Sequence, residues 1–366
     1  MAKNSLVQSM ILYPLSLLYG VGVNIRNLMF NKGIYEQESF DIPVISIGNL
    51  TVGGAGKTPH TEYVIEALCR DYRIGMLSRG YRRRTKGFII ASSNSNPEDI
   101  GDEPYQIYKK FENKGVMVAV CEKRVEGIKR MLDFDPKLNL IVLDDAFQHR
   151  FVKPRISILL TEHSNPLYND HLLPLGRLRE PAKAIERADI VILTKCPDNM
   201  KPVDFRLFKE TFDLFPYQNL LFSKYRYLSL VPLFPEALEG MPVPDLYNPG
   251  SINTVLAVVG VANPRPFIRY IRSLGIKVKI MSFGDHHNFS KSDMTAIRNK
   301  FAEIRCLDKY IITTEKDAVR LAGNPYFPAE LRSRIFYIPI KVEFIPHDAE
   351  SLETVLKQKL NNYQGN

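Results

Sequence analysis

The sequence predicts an α/β protein, a parallel sheet flanked by helices with a second, smaller α/β domain. Short, predominantly apolar runs recur at 42–47, 72–77, 88–91, 117–120, 138–143, 156–160 and 190–193, and helix-length segments such as 103–112 and 122–132 lie between several of them. Strands apolar on both faces that alternate with helices suit a sheet covered on both sides. The alternation stops in a proline-rich stretch (Pro232, Pro235, Pro242, Pro244, Pro249) and resumes with runs at 255–259, 278–281, 311–314 and 335–342, the last interrupted by Pro339. Proline breaks regular structure, which puts a junction near 220–250. The expected divisions are 1–35, 36–225 and 226–366, with a last helix from Ser351.

Residues 6–30 are dense in large apolar side chains, and no acidic residue precedes Glu36. Lys3, Arg26 and Lys32 flank the segment; Ser9, Ser16 and Asn24 interrupt it, and Pro14 and Gly20 break its rhythm. The interruptions suit a spanning helix poorly, and no small-x-small cleavage site follows, as a signal peptide requires. An N-terminal membrane-associated helix lying in the interface fits the greasy, basic-ended pattern. A first helix buried on the domain is the alternative.

The run 42–47 leads directly into Gly53-Gly54-Ala55-Gly56-Lys57-Thr58-Pro59. A strand, a glycine loop and a helix start together make a phosphate cradle, so the core reads as P-loop NTPase-like. The nucleotide-binding set is Thr51, Gly53, Gly54, Ala55, Gly56, Lys57, Thr58 and Pro59, with Lys57 on the outer phosphates of ATP and Thr58 on Mg²⁺. Thr51 stands where the usual pattern has its first glycine. The run 138–143 ends in Asp144-Asp145, and carboxylates at such a strand end suit Mg²⁺.

Asp102 and Glu103, in Gly101-Asp102-Glu103-Pro104, either start a helix or supply a carboxylate that takes a proton from a hydroxyl. Asp285-His286-His287 suits a proton relay or a metal. Arg79, Arg82, Arg83, Arg84 and Lys86 surround Tyr81, and Arg177, Arg179 and Glu180 sit in a turn-rich stretch; the arginines suit phosphate. Thr314-Glu315-Lys316-Asp317 either caps a helix or meets nucleotide.

The chain has 366 residues, 45% apolar and 24% charged, with a net charge of +9. That is a folded protein whose partner is nucleic acid, an anionic membrane or a phosphorylated substrate. No nucleic-acid-binding signature stands out. The four cysteines lack metal or disulfide spacing.

The ordered set Gly48 to Pro59, Leu77-Ser-Arg-Gly-Tyr81, Gly101 to Pro104, Leu143-Asp-Asp-Ala-Phe-Gln-His149, Leu175 to Glu180, Asp285 to His287 and Thr314 to Asp317 strongly resembles the tetraacyldisaccharide 4'-kinases of Gram-negative bacteria. The resemblance implies transfer of the ATP γ-phosphate to the 4'-hydroxyl of an acylated glucosamine disaccharide 1-phosphate, giving lipid IVA in lipid A synthesis. It implies work at the cytoplasmic face of the inner membrane, among anionic lipids, with no nucleic acid and no obligate protein partner. It matches the catalytic aspartate to Asp102, its paired histidine to His286, and the strand-end acids to Asp144 and Asp145. The substrate-binding candidates are Arg79, Arg82, Arg83, Glu103, Arg177 and Glu180.

Two rivals share the cradle. A nucleotide-driven switch or metal-delivery protein often carries a lysine before the two glycines, where this chain has Val52. Its usual base-selecting Asn-Lys-x-Asp has as nearest match Thr194-Lys195-Cys196-Pro197. A basic RNA-binding ATPase would use the 79–86 cluster on nucleic acid.

Overall fold

The computed structural model describes residues 6–248, 250–346 and 351–361, so Lys3 and Pro249 lie outside the described residues. The chain divides into two compact units, between Tyr225 and Arg226 and again between Lys341 and Val342.

The first unit opens with α1 (Leu6–Asn31), then β1 (Val44–Asn49), α2 (Lys57–Leu68), β2 (Ile74–Ser78), β3 (Ile89–Ile90), α3 (Pro97–Ile100), α4 (Asp102–Phe111), β4 (Met117–Val120), α5 (Arg124–Phe134), β5 (Leu140–Leu143), β6 (Ile156–Glu162), β7 (Ile190–Thr194), α6 (Pro202–Phe212) and β8 (Asn219–Tyr227). The second holds β9 (Val231–Pro232), β10 (Thr254–Val259), α7 (Arg265–Ser273), β11 (Lys277–Ser282), α8 (Lys291–Ala302), β12 (Lys309–Thr314), α9 (Glu315–Ala322) and β13 (Ile335–Ile338). The chain then forms β14 (Ile340–Phe344) and α10 (Leu352–Asn361).

Nine strands of the first sheet lie in the order β14-β8-β7-β6-β1-β5-β2-β4-β3. Every pairing from β8 across to β4 is parallel, and β3 closes one edge antiparallel to β4. Strands β1, β2, β5 and β7 are buried along their whole length, which is why they are largely apolar. Parallel strands share one carboxyl edge, and β1 lies at the middle of the order, with later strands on both sides. Open α/β sheets bind ligands at that kind of place. In the second unit β11-β10-β12-β13-β9 form a smaller sheet, parallel except for β9.

The sequence reading and the fold part in three places. Residues from 342 onward, expected in the C-terminal domain, belong to the first unit. Leu352, Val355, Leu356 and Leu360 of α10 form one apolar stripe, which packs in a core with Val64, Ile65 and Leu68 of α2. Pro339 does not merely interrupt a strand, since β13 and β14 on either side of it belong to different sheets. Pro14 does not end α1, which runs through it. Gly20 is no breaker either: a Cβ there would lie 2.8 Å from Leu172 Cδ1, so the missing side chain lets α1 dock closely.

Candidate active site

The segment after β1 is shaped by two left-handed glycines, Gly53 (φ 116°) and Gly56 (φ 89°). Gly56 is also the N-cap of α2, and a Cβ on it would fall 2.0 Å from Tyr225 Oη. No side chain caps α2. The first N–H groups of a helix have no partner within it and point outward with the positive end of the dipole, ready for an anion. The earlier half of the loop is fastened elsewhere. Val52 N–H donates to Arg177 O and Arg179 N–H to Leu50 O, both at 2.7 Å, and Thr51 bridges Leu178. Thr51 therefore sits in strand-like pairing, where glycine's freedom is not required.

Lys57 starts α2, and its Nζ lies 3.3 Å from Asn49 Oδ1 and 3.6 Å from Asp145 Oδ1. The two aspartates after β5 diverge. Asp144 is 1% exposed and accepts a 2.9 Å hydrogen bond from the Thr61 hydroxyl. Burial, then the charges of Glu103 and Asp145, push its carboxyl up to about 7, against the pull of Lys57 and Thr61. Asp145 takes a left-handed φ of 47° and turns to Lys57 and to Arg179, 3.4 Å away.

Asp102 and Glu103 form the first turn of α4, with Gly101 (φ 93°) as N-cap. Gly101 packs on Gly80 and Tyr81: a Cβ would lie 3.0 Å from Tyr81 O. The Ser-Arg-Gly-Tyr and Gly-Asp-Glu-Pro segments are thus backbone neighbours, and the charge of Glu103 reaches Asp144.

The basic cluster is less free than its sequence suggests. Arg83, named as a substrate contact, is instead an internal group: its side chain is 2% exposed and its Nη2 donates to Glu122 and to the Gly87 carbonyl. Arg84 pairs with Glu98, and Arg82 lies over the Tyr81 ring. Arg177 binds Asp170 through its side chain and its backbone N–H. Glu180 is buried, paired with Arg187 at 2.7 Å and receiving Asn27 of α1. Arg177 and Glu180 thus brace the segment that fastens the loop.

Sequence reasoning missed Arg124 at the start of α5. It is 2% exposed, and burial holds its guanidinium down to about 10 although Asp144 and Asp145 pull it up. It also missed Thr61, four residues beyond Lys57 and so on the same helix face. That spacing was a usable signal. Arg124 offered none, because only the fold brings the β4 and β5 strand ends together.

In the second unit the neighbouring histidines separate. His287 Nε2 lies 2.9 Å from Asp293 Oδ2, in the capping box that starts α8, and its ring stacks on Phe283. His286, at φ 58°, presents Nε2 to Lys316 Nζ and Nδ1 to Arg320 Nη2, each at 3.0 Å, with Asp285 at 3.9 Å. Thr314-Glu315-Lys316-Asp317 caps a helix: the Thr314 side chain accepts from Asp317 N–H at the start of α9. Among the described residues no group of three or more His, Cys, Asp or Glu gathers as a metal cluster.

A family model described as tetraacyldisaccharide-1-P 4'-kinase matches residues 8–361. The chain belongs to the tetraacyldisaccharide 4'-kinase family. It is 43% identical over 347 residues to the tetraacyldisaccharide 4'-kinase of Bacteroides thetaiotaomicron, covering 93% of this chain and 90% of that one. With the Porphyromonas gingivalis enzyme of strain ATCC 33277 it shares 44% over 338 residues, 91% of this chain and 92% of the other. Its α/β fold is that of LpxK from Aquifex aeolicus, solved in complex with ATP: TM-score 0.70 and 29% identity over 96% of this chain and 98% of that one. Membership in the kinase family covers both units, which neither the switch reading nor the RNA-binding reading accounts for.

Proposed function

We propose that this member of the family transfers the γ-phosphate of ATP to the 4'-hydroxyl of tetraacyldisaccharide 1-phosphate, forming lipid IVA, at the cradle after β1. The observation that carries the site is the uncapped, glycine-shaped start of α2, beside Lys57 and the Asp144-Asp145 pair, in a chain of this family.

The α2 N–H groups, with Gly53, Gly54, Ala55 and Gly56 shaping their approach and Pro59 setting the first turn, hold the outer phosphates. Lys57 adds a point charge where negative charge builds on the transferred group. Thr58, Asp144 and Asp145 would hold Mg²⁺. They fit a hard cation: Asp144 is buried beside the charges of Glu103 and Asp145, and its carboxyl stays raised to about 7 despite Lys57 and Arg124, an environment that a divalent ion would relieve. Mg²⁺ supplies neutralisation of the phosphate oxygens. Asp102, in a first helical turn that favours a carboxylate, accepts the proton of the attacking sugar hydroxyl. His286 is retained as a catalytic residue on the family resemblance. Glu103, Arg79 and Arg82 are the proposed contacts to the phosphorylated sugar.

We place the protein at the cytoplasmic face of the inner membrane, held by α1 on anionic lipids. Among the described residues no helix is long and apolar enough to cross a membrane. One face of α1 exposes Met10, Ile11, Leu17, Leu18 and Val21. Another is fixed to the protein: Ser16 donates to Leu172 O, Tyr19 to Arg179 O and Arg26 to Gln148 O. The helix thus joins the interfacial and the docked reading, though Arg26 serves the docking side.

The test uses purified protein, Mg²⁺, γ-labelled ATP and detergent-dispersed tetraacyldisaccharide 1-phosphate. Label at the 4'-position, absent without lipid, supports the reading. Lipid-independent hydrolysis by folded protein, with no labelled lipid, would return the switch-like reading.

A further inference from the structure

Three successive carbonyls of the glycine loop are each held by a side chain from outside the loop. Lys195 Nζ donates to Gly54 O, with Glu162 Oε1 3.1 Å away to steady the ammonium. The Thr194 hydroxyl donates to Ala55 O at 2.9 Å, both partners being buried. His60 Nδ1 lies 2.7 Å from Gly56 O, and its Nε2 lies 2.9 Å from Ser223 Oγ. A carbonyl only accepts, so Nδ1 carries the proton. Nε2 then accepts from the serine hydroxyl in the neutral ring.

A trans peptide points its C=O and the following N–H in opposite directions. Holding Ala55 O fixes where Gly56 N–H points, and holding Gly56 O fixes Lys57 N–H. The Gly54 peptide is tied on both sides, since Ala55 N–H closes onto Gly53 O at 3.1 Å. Two of the three holders are consecutive residues at the end of β7, with Lys195 at a left-handed φ of 56°.

We propose that Lys195, Thr194 and His60 are positioning residues that preset the loop for polyphosphate before nucleotide arrives: Thr194 and His60 aim the Gly56 and Lys57 N–H groups, and Lys195 holds the turn at Gly54, whose following N–H is already bonded to Gly53 O, in the shape that those two require. The inference rests on the cradle reading above and goes beyond it by assigning the loop's shape to residues outside its motif. A loop preset in this way spends no binding energy on ordering itself. The plainer account is that buried polar side chains merely found partners. It predicts lost stability without a selective loss of ATP binding.

The test is steady-state kinetics on the full chain, well below its melting temperature, with ATP and the lipid acceptor varied separately. Thr194→Val and Lys195→Met should each raise the KM for ATP about tenfold, the size of one lost hydrogen bond to a preset loop. The KM for lipid should stay unchanged. Thr194→Ser, which keeps the hydroxyl, should restore the KM for ATP, and His60→Asn, which keeps a donor near Nδ1, should outperform His60→Leu. If Thr194→Val does not fold, the partly exposed Lys195 carries the same test. A KM for ATP within about twofold of the parent in Thr194→Val or, failing its folding, in Lys195→Met would overturn the proposal, twofold being well under one hydrogen bond. Lys57→Met runs alongside. If it too leaves ATP kinetics intact, the cradle reading has failed; if it alone is impaired, only the positioning role has.

Discussion

The two units are built alike, with a parallel sheet, helices between strands and a glycine at the end of a central strand, yet they treat their backbone N–H groups in opposite ways. In the second unit Gly260 follows β10, and its N–H donates to the buried carboxylate of Asp317 at 2.9 Å. Ser290 and Thr314 cap α8 and α9, while α7, the helix next after Gly260, has no side-chain cap. In the first, the chain after β1 enters α2 with no side-chain cap and no carboxylate of its own at the helix start. One unit supplies an internal anion at a place where the other, on the proposed reading, takes the phosphates of ATP. Sheet architecture alone therefore does not make a phosphate site; the choice lies in a few residues at a strand end.

The largest effects should come from the unit that awaits a ligand. Lys57→Met should lower kcat by roughly 10²–10³-fold, the range for loss of one group that stabilises developing charge. Asp102→Ala should lower it by roughly 10²–10⁴-fold, as for a general base, while ATP still binds. Single-turnover transfer from labelled ATP, read beside equilibrium ATP binding, checks both. Full turnover in Asp102→Ala would remove it from the base role.

Asp317→Ala sharpens the other side of the comparison. It strips a buried partner from Gly260 N–H and from the Thr314 hydroxyl, and leaves Arg320 without its 3.5 Å neighbour. The expected loss is about 3 kcal/mol of stability, from uncompensated buried polar groups. Urea unfolding measures it. A loss near zero would mean that the internal carboxylate is not what completes that strand end.

How much of this was legible in sequence follows from which signals are local. The first unit's central strands were, because burial on both faces demands unbroken apolar runs such as 140–143 and 190–193. Strand β8 was not: it mixes Ser223, Lys224 and Arg226 with its apolar residues, and only β7 and β14 beside it make it a strand. The loop, the paired aspartates and Gly-Asp-Glu-Pro were legible because each motif is contiguous. Arg83 was misread because its charge says nothing about Glu122, brought to it by the fold. The bonds of Thr194 and Asp317 escaped for the same reason, since Ala55 O and Gly260 N–H lie far away in sequence, and the four-residue spacing of His60 from Gly56 does not announce a side-chain bond to that carbonyl.

Helix α1 itself divides into an exposed and a docked face, and the proposed membrane attachment uses the exposed one. Leu18 is 70% exposed, so Leu18→Asp should weaken partition onto anionic vesicles about tenfold or more, the transfer cost of one large apolar group. Tyr19→Phe, which loses only the bond to Arg179 O, should leave partition unchanged. Vesicle sedimentation at fixed salt separates them, and equal loss in both variants would mean that α1 does not meet lipid by its exposed face.

The smallest effect is one of pH, and it belongs to the first unit. Burial pushes the imidazoles of His60 and His149 down to about 4, from an ordinary 6.5. The unfolded chain therefore takes up these protons before the folded one does. Stability rises with pH between about 4 and 6.5 on their account and is lost as pH falls through that window. At pH 5.5 each should cost about 1 kcal/mol relative to neutral pH. Asp144, pushed up to about 7, acts with the opposite sign, since its folded form holds a proton that the unfolded chain releases. A single stability curve mixes the two. The difference between parent and His149→Asn cancels Asp144 and should flatten above pH 6.5; a difference independent of pH from 4 to 8 would show that this imidazole is not held neutral by the fold.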